Sequence, residues 1–301
     1  VELRHLRYYC AVAEEKNLTR AAEKLCMAQP PLTRQIKQLE EEIGVTLFER
    51  QARGIALTPA GEYFWRQAKL IFEKLDIVIS ESKRIDSRKK QIFRIGFVPS
   101  IFYGQLPQLV RRLRPMTGAD IELHELKTAE QIEALRAGRI DIGFGRVVMN
   151  NLESDVSQTL LFHEPLVAAL PVNHPMEKSQ LSLEELSKLP MVLYPAGNTP
   201  NFANLCLQLF SNRGLRIKVA QQVNDVQTAL SLVASEMGFT LVPEQVKRIN
   251  RDDVSFIPLS DHNVTSPVFL SKRVEPEDEI MKAAMGILDE LVQNRIQGRY
   301  P

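Results

Sequence analysis

The sequence predicts an α/β protein with a winged helix-turn-helix head, a long connecting helix and a larger body in which strands and helices alternate. Three observations carry this. Residues 1–58 hold three short helical patterns and then a basic hairpin. Residues 59–85 keep one unbroken helical periodicity. From residue 91 onward strand and helix signals alternate, the pattern of a mostly parallel sheet.

In the head, Leu6, Tyr9, Cys10 and Ala13 recur at spacings of three and four, one face of a helix over residues 3–15. Asn17-Leu18-Thr19 breaks it, and Thr19 is the expected N-cap of a short helix over 20–25. The small Ala21 and Ala22 let a neighbouring helix cross closely, and residues 26–28 make the turn. Pro30 and Pro31 then mark a new helix start, because proline is tolerated where the first-turn N–H groups are unpaired anyway. Leu32, Ile36, Leu39 and Ile43 form its buried stripe. Gln29 sits at its N-terminal tip, and Thr33, Arg34 and Lys37 point away from the stripe. Arginine can fork onto guanine O6 and N7 and glutamine can pair with adenine, so these residue types suit base readout. They equally suit a solvated helix face. The next segment favours readout: strand-like runs at 46–50 and 55–58 flank Gln51-Ala52-Arg53-Gly54, a hairpin with glycine at its turn. A basic hairpin behind a helix-turn-helix is a wing, and Arg53 at its tip can reach phosphates or a narrow minor groove.

Thr58 and Pro59 are an N-cap and an N1 proline that open a helix running to about residue 85. Phe64, Ala68, Ile71, Leu75, Val78, Ser82 and Ile85 step alternately by four and three, a heptad seam. The seam could pack on its own domain. A dimer is preferred because two recognition helices then lie one DNA turn apart, about 34 Å. The charged, aperiodic residues 83–90 are the expected hinge.

In the body, strands are expected at 92–98, 121–126, 141–144, 166–170, 191–194, 217–223, 239–242 and 268–271. Helices are expected at 102–114, 129–137, 201–213, 226–235 and 277–294. In open α/β sheets ligands sit at strand C-termini beside helix N-termini. Three loops have that address: Val98-Pro99-Ser100-Ile101, the segment from Lys127 through Thr128 to Gln131, and Asn198-Thr199-Pro200-Asn201-Phe202. Each offers hydroxyls and free backbone N–H groups to a carboxylate. Arg146 ends a strand and either supplies a cation or is a surface residue. Thr128 with Gln131 also reads as a capping box, and Thr199-Pro200 as a cap.

Composition bounds the remaining choices. With 44% hydrophobic and 25% charged residues, the 301-residue chain is ordinary globular material for two or three compact units. Net charge is only +1, but residues 1–90 hold 17 basic against 13 acidic side chains, a head at +4 on a body at −3. Cys10, Cys26 and Cys206 have no CxxC spacing and read as free buried thiols of a reducing cytosol. The five histidines show no metal-site spacing, so no metal or cofactor is expected. No apolar run nears the ~20 residues of a membrane span, and charges interrupt the N-terminal segment, so neither a membrane partner nor a signal peptide is expected and the site of action is the cytoplasm.

Residues 1–65 resemble the DNA-binding domain of LysR-type transcriptional regulators. The likeness rests on LRHLRYYCAVAEEKNLTRAAEKLCMAQPPLTRQIKQLEEEIGVTLFER followed by LTPAGE, and it continues more loosely through the rest of the chain. It implies that Gln29, Pro30, Thr33, Arg34 and Arg53 contact promoter DNA, with Lys37 added from its outward position. Thr33 stands where serine is frequent and keeps the hydroxyl. The resemblance also implies dimers assembling to a homotetramer, RNA polymerase as a further partner, and a pair of lobes like those of periplasmic binding proteins. The expected units are residues 1–58, 59–90 and 91–301, with one lobe comprising 91–162 and 267–301 and the other 163–266.

GRIDIGFGR and LYPAGNTPNF make the body similar to the benzoate- and muconate-responsive regulators of aromatic degradation. That likeness implies an effector cleft lined by Ser100, Thr128, Arg146, Pro200, Asn201 and Phe202, with Ile101 beside Ser100, and a small carboxylate effector. Some of those relatives have a second acid site using an arginine in the stretch occupied here by residues 158–161. None stands there, so that site is not expected. Pro99 replaces a smaller residue of those relatives. A periplasmic solute-binding protein would explain the body but not the winged head. An enzyme with a Rossmann-like core is disfavoured because there is neither GxGxxG after the first strand nor GxSxG anywhere.

Overall fold

The computed structural model describes the chain apart from residues 52, 53, 88, 89, 150, 151, 153, 198–200 and 298–301. The chain divides into two units, Val1–Lys83 and Arg84–Pro301.

The first unit contains α1 (Leu3–Glu15), α2 (Leu18–Lys24), α3 (Gln29–Ile43), the strands β1 (Phe48–Gln51) and β2 (Gly54–Leu57), and α4 (Pro59–Asp86), whose last turn crosses the division. Its core closes on Tyr9, whose ring lies 5.0 Å from Phe48 and 5.1 Å from Phe64. The Tyr9 hydroxyl donates to the Gly61 carbonyl at 2.6 Å, and burial raises the phenol's pKa. Only glycine fits at 61, since a Cβ would stand 2.0 Å from the Leu47 carbonyl oxygen. Leu32, Ile36 and Leu39 form the buried stripe of α3, and Gly44 ends that helix at φ +74°. The N-cap of α2 is Asn17, which accepts from Thr19 N at 2.9 Å and Arg20 N at 3.1 Å, and not Thr19. The Asn17 carbonyl side chain reaches two orphan N–H groups, one of them Thr19's own.

β1 and β2 pair antiparallel, Phe48 opposite Leu57 and Gln51 opposite Gly54. Glu40 Oε1 pins this hairpin to α3 by accepting from Leu47 N and Phe48 N at 2.7 and 3.0 Å. Thr58 Oγ1 accepts from Gly61 N at 2.9 Å, capping α4. The proposed seam divides along α4. Phe64 and Ala68 pack into the head core, whereas Ile71, Val78 and Ile85 are 46%, 49% and 73% exposed.

The second unit runs β3 (Ile92–Phe97), a 3-10 turn (Pro99–Ile101), α5 (Leu106–Thr117), β4 (Asp120–Glu125), α6 (Thr128–Ala137), β5 (Ile142–Gly145) and β6 (Val156–Pro171). Then come α7 (Leu183–Leu186), β7 (Pro190–Leu193), α8 (Phe202–Ser211), β8 (Lys218–Gln222), α9 (Val226–Ala234), β9 (Thr240–Pro243), a second 3-10 turn (Glu244–Ile249), β10 (Val254–Pro258), β11 (Thr265–Arg273) and α10 (Glu279–Ile296). The strand order is β10-β6-β11-β5-β3-β4, with β9 also on β6, and β7 and β8 form a separate pair.

This sheet is mixed, contrary to the mostly parallel expectation. β3 pairs parallel with β4 and β5, but β6 runs antiparallel to β9, β10 and β11, and β11 antiparallel to β5. β6 and β11 are opposed passes of the chain between two hydrophobic cores. One core gathers Ile95, Leu109, Phe144, Val268 and Leu288. The other gathers Leu170, Leu193, Phe210, Leu230 and Phe239. β6 belongs to both, through Phe162 and through Leu166–Leu170. The helix expected at 102–114 begins at Leu106, because the 3-10 turn and residues 102–105 take up the preceding chain.

Cys10 and Cys206 are buried, and burial pushes their thiols up, Cys10 to about 11. Cys26 is exposed, so the expectation that all three thiols are buried fails there. It ends the α2 segment at φ 52° with its side chain outside the head core. Among the described residues no helix is long and apolar enough to cross a membrane, and no group of side chains could hold a metal ion.

Candidate DNA interface and ligand cavity

Gln29 and Pro30 open α3 and are exposed, as are Arg34 and Lys37 farther along the helix. Thr33 is half-buried, and its hydroxyl donates to the Gln29 carbonyl at 3.0 Å. With its proton engaged there, the hydroxyl oxygen is left to act as an acceptor. Arg34 also borders a shallow groove with Arg4, Tyr8 and Gln38. Arg53 lies outside the described residues.

In the second unit a cavity of about 360 Å³ opens between the two cores. Strand ends and helix starts build its wall: Val98–Ser100 follow β3, Lys127 and Thr128 begin α6, and Arg146 follows β5. Tyr194 follows β7, Asn201 and Phe202 begin α8, and Asn224–Val226 begin α9. Such an array presents unpaired backbone N–H groups and the positive ends of helix dipoles to one space. Gly145 permits the close packing of Thr128, since a Cβ there would meet the threonine side chain at 2.7 Å. The structure thus brings Ser100, Thr128, Arg146, Asn201 and Phe202 to one cavity. Ile101 is not on its wall, because the 3-10 turn directs it into the first core. Pro200, and the Thr199-Pro200 cap, lie outside the described residues.

Arg146 is neither a surface residue nor an uncompensated cation. It is 3% exposed, and its Nε donates to Ser100 Oγ at 2.6 Å and its Nη1 to Ser266 Oγ at 3.3 Å. Its Nη2 donates to Glu164 Oε2 at 2.5 Å, and Glu164 is 2% exposed. The other Glu164 oxygen accepts from Gln245 N at 3.1 Å. Because Ser100 Oγ accepts from Arg146, its own O–H is left to donate elsewhere.

The expected Thr128–Gln131 capping box does not form. Gln131 instead donates to the carbonyls of Leu126 and Phe144 at 2.9 and 3.0 Å, and Glu130 Oε2 accepts from Lys127 N at 2.9 Å. Asn201 caps α8, accepting from Asn204 N at 3.1 Å. Asp225 caps α9, accepting from Thr228 N at 2.9 Å, and that backbone bond holds its carboxyl below the usual range. The Tyr194 ring lies 5.2 Å from Phe202, and its buried hydroxyl has no partner among the described residues. Burial pushes this phenol well up.

Glu164, Tyr194, Asn224 and Asp225 were not singled out from the sequence. For Asp225 the signal was present, an Asx residue ahead of an apolar helical run. For Glu164 it was a carboxylate within the apolar stretch LLFHEPLVAAL, where only a partner distant in sequence makes it tolerable.

A winged helix-turn-helix joined to a ligand-binding α/β body defines a DNA-binding transcriptional regulator that carries its own small-molecule sensor, and not an enzyme. Residues 3–62 match the bacterial regulatory helix-turn-helix proteins of the lysR family, and residues 87–291 match the LysR substrate binding domain. The chain belongs to the LysR family of transcriptional regulators. It is 41% identical over 288 residues to the HTH-type transcriptional regulator CatR of Pseudomonas putida, covering 96% of this chain and 98% of CatR. It is likewise 41% identical over 277 residues to the HTH-type transcriptional regulator BenM of Acinetobacter baylyi, covering 91% and 90%. Full-length CbnR complexed with its target DNA superposes with a TM-score of 0.68 at 29% identity, covering 97% of this chain and all of that one. The BenM effector binding domain with its effector benzoate gives 0.63 at 32% identity over 70% of this chain and 95% of that domain.

Proposed function

We propose that this regulator senses a small carboxylate, an intermediate of aromatic degradation such as muconate or benzoate, in the cavity of its second unit, and that binding there changes its control of a promoter. The observation that carries this reading is the convergence of the α6, α8 and α9 N-termini with the hydroxyls of Ser100 and Thr128 on one space. Unpaired N–H groups and hydroxyl donors recognise a carboxylate without a free cation. BenM, with benzoate as its effector, supports the ligand class.

In this reading Gln29, Pro30, Thr33, Arg34, Lys37 and Arg53 contact double-stranded promoter DNA. Ser100, Thr128, Arg146, Asn201 and Phe202 serve the effector, with Pro200 beside them. Residues 91–162 with 267–301 form one lobe and 163–266 the other, a division the two hydrophobic cores support. The exposed Ile71, Val78 and Ile85 on α4 join two protomers, and dimers pair into a tetramer that works in the cytoplasm with RNA polymerase. The effector shifts the population of lobe arrangements, and the spacing or bend of the bound DNA follows.

Calorimetry of the full-length protein with cis,cis-muconate and with benzoate tests the ligand class. Saturable heat with either acid is expected, and none with either, or with related dicarboxylates, removes it. Promoter footprinting with and without the bound acid then reads the output.

A further inference from the structure

Two cations stand on the cavity wall, Arg146 and Lys127. The charge of Arg146 is already answered by Glu164, both groups being buried. Lys127 is exposed and makes no ion pair among the described residues. Three carboxylates share the wall, Glu125, Glu130 and Asp225, and none is ion-paired with Lys127 among the described residues. Glu130 accepts from the Lys127 backbone N–H, and Asp225 from Thr228 N, so each is bound at the start of its own helix.

Lys127 is also the wrong residue for its place. It is the N-cap of α6, at φ −63° and ψ 153°, and makes no side-chain cap bond. Serine, threonine, aspartate and asparagine stabilise that position, and the positive end of the helix dipole repels an ammonium group there. A residue that weakens its own helix and faces a ligand cavity is accounted for by an anion at that helix end.

We infer that Lys127 determines the charge specificity of the sensor. It pairs with a second acidic group of the effector at the α6 end of the cavity, while the first lies against the start of α8. The cavity then prefers a dianionic acid over a monoanion. This rests on the reading that the effector is a carboxylic acid.

The test is titration calorimetry on full-length protein, wild type and Lys127→Gln, with cis,cis-muconate as the dianion and benzoate as the monoanion. The variant should bind muconate about 3- to 5-fold more weakly, the upper part of the range for one exposed ion pair, and benzoate within about 2-fold of wild type. Raising salt from about 50 to about 500 mM should weaken muconate more steeply in the wild type than in the variant. Without ligand, the melting temperature of the variant should be unchanged or higher. Lys127→Arg should keep the preference for the dianion, a second measure that does not depend on the glutamine variant. Wild-type binding of both acids with an unaltered affinity ratio in Lys127→Gln overturns the role of Lys127 alone. Wild-type binding of neither overturns the carboxylate reading, and this inference with it.

Discussion

Arg146, on the cavity wall, and Glu164 form a buried ion pair, Nη2 to Oε2 at 2.5 Å. Each member of the pair has further partners that offset its removal from water: two serine hydroxyls for the guanidinium and a backbone N–H for the carboxylate. Removing one partner strands the other. Glu164→Ala should cost about 3–5 kcal/mol, seen in calorimetric melting as a large fall in the transition of the second unit. The double change Arg146→Met with Glu164→Leu should restore most of that stability while abolishing effector binding.

Arg34 and Lys37 share the outward face of α3 but should act differently. Arg34→Ala should weaken binding to the target promoter by about 1–3 kcal/mol and relax sequence preference at one base pair. Lys37→Ala should weaken target and random DNA alike and reduce the slope of log affinity against log salt by about one. Gel shifts across a salt series separate the two. Unchanged affinity of Arg34→Ala at moderate salt would show that it reads no base.

The exposed apolar residues of α4 predict association. Val78 is 49% exposed, so Val78→Glu should leave the melting of the head nearly unchanged. In sedimentation velocity the same variant should shift the protein toward monomer and lower its affinity for a two-half-site operator.

Asp225 predicts a pH dependence. Its bond from Thr228 N holds the folded carboxyl below the ordinary value of 3.8. The stabilisation from the ionised cap is therefore complete above that value and is lost as pH falls through the lower folded one. Asp225→Ala should cost about 0.5–2 kcal/mol at neutral pH. The difference between variant and wild type should shrink as unfolding is measured below about pH 4.

Much of the head was legible because its signals are local. Leu32, Ile36 and Leu39 lie within eight residues of one another, and their spacing states both the helix and its buried side. The loops at Ser100, Thr128 and Asn201 were legible for a similar reason, since strand ends and helix starts are written in adjacent residues, although the caps that form are Lys127 at α6 and Asn201 at α8 rather than those expected. What stayed hidden depends on distant partners. Nothing near Arg146 in sequence reveals that its charge is answered 18 residues away. Of the sixteen residues of β6 only 166–170 read as strand, because residues 156–165 alternate irregularly between exposed and buried as they pair with β11. The division of the α4 stripe between the head core and solvent is hidden likewise, since Phe64 and Ile71 occupy equivalent heptad positions.

β6 changes partners at one point. Up to Pro165 it pairs with β11, and from Leu166 onward with β9 and then β10 as well. A single hydrogen-bonded ribbon thus runs through both cores, with Glu164 at the changeover. The two cores are joined through paired strands rather than through a loose linker. Any change in the width of the cavity has to pass through this ribbon, as a change of twist where its pairing partners change. A ligand that draws the two cores together therefore loads the chain at Glu164, where the buried partner Arg146 of the cavity wall is already attached.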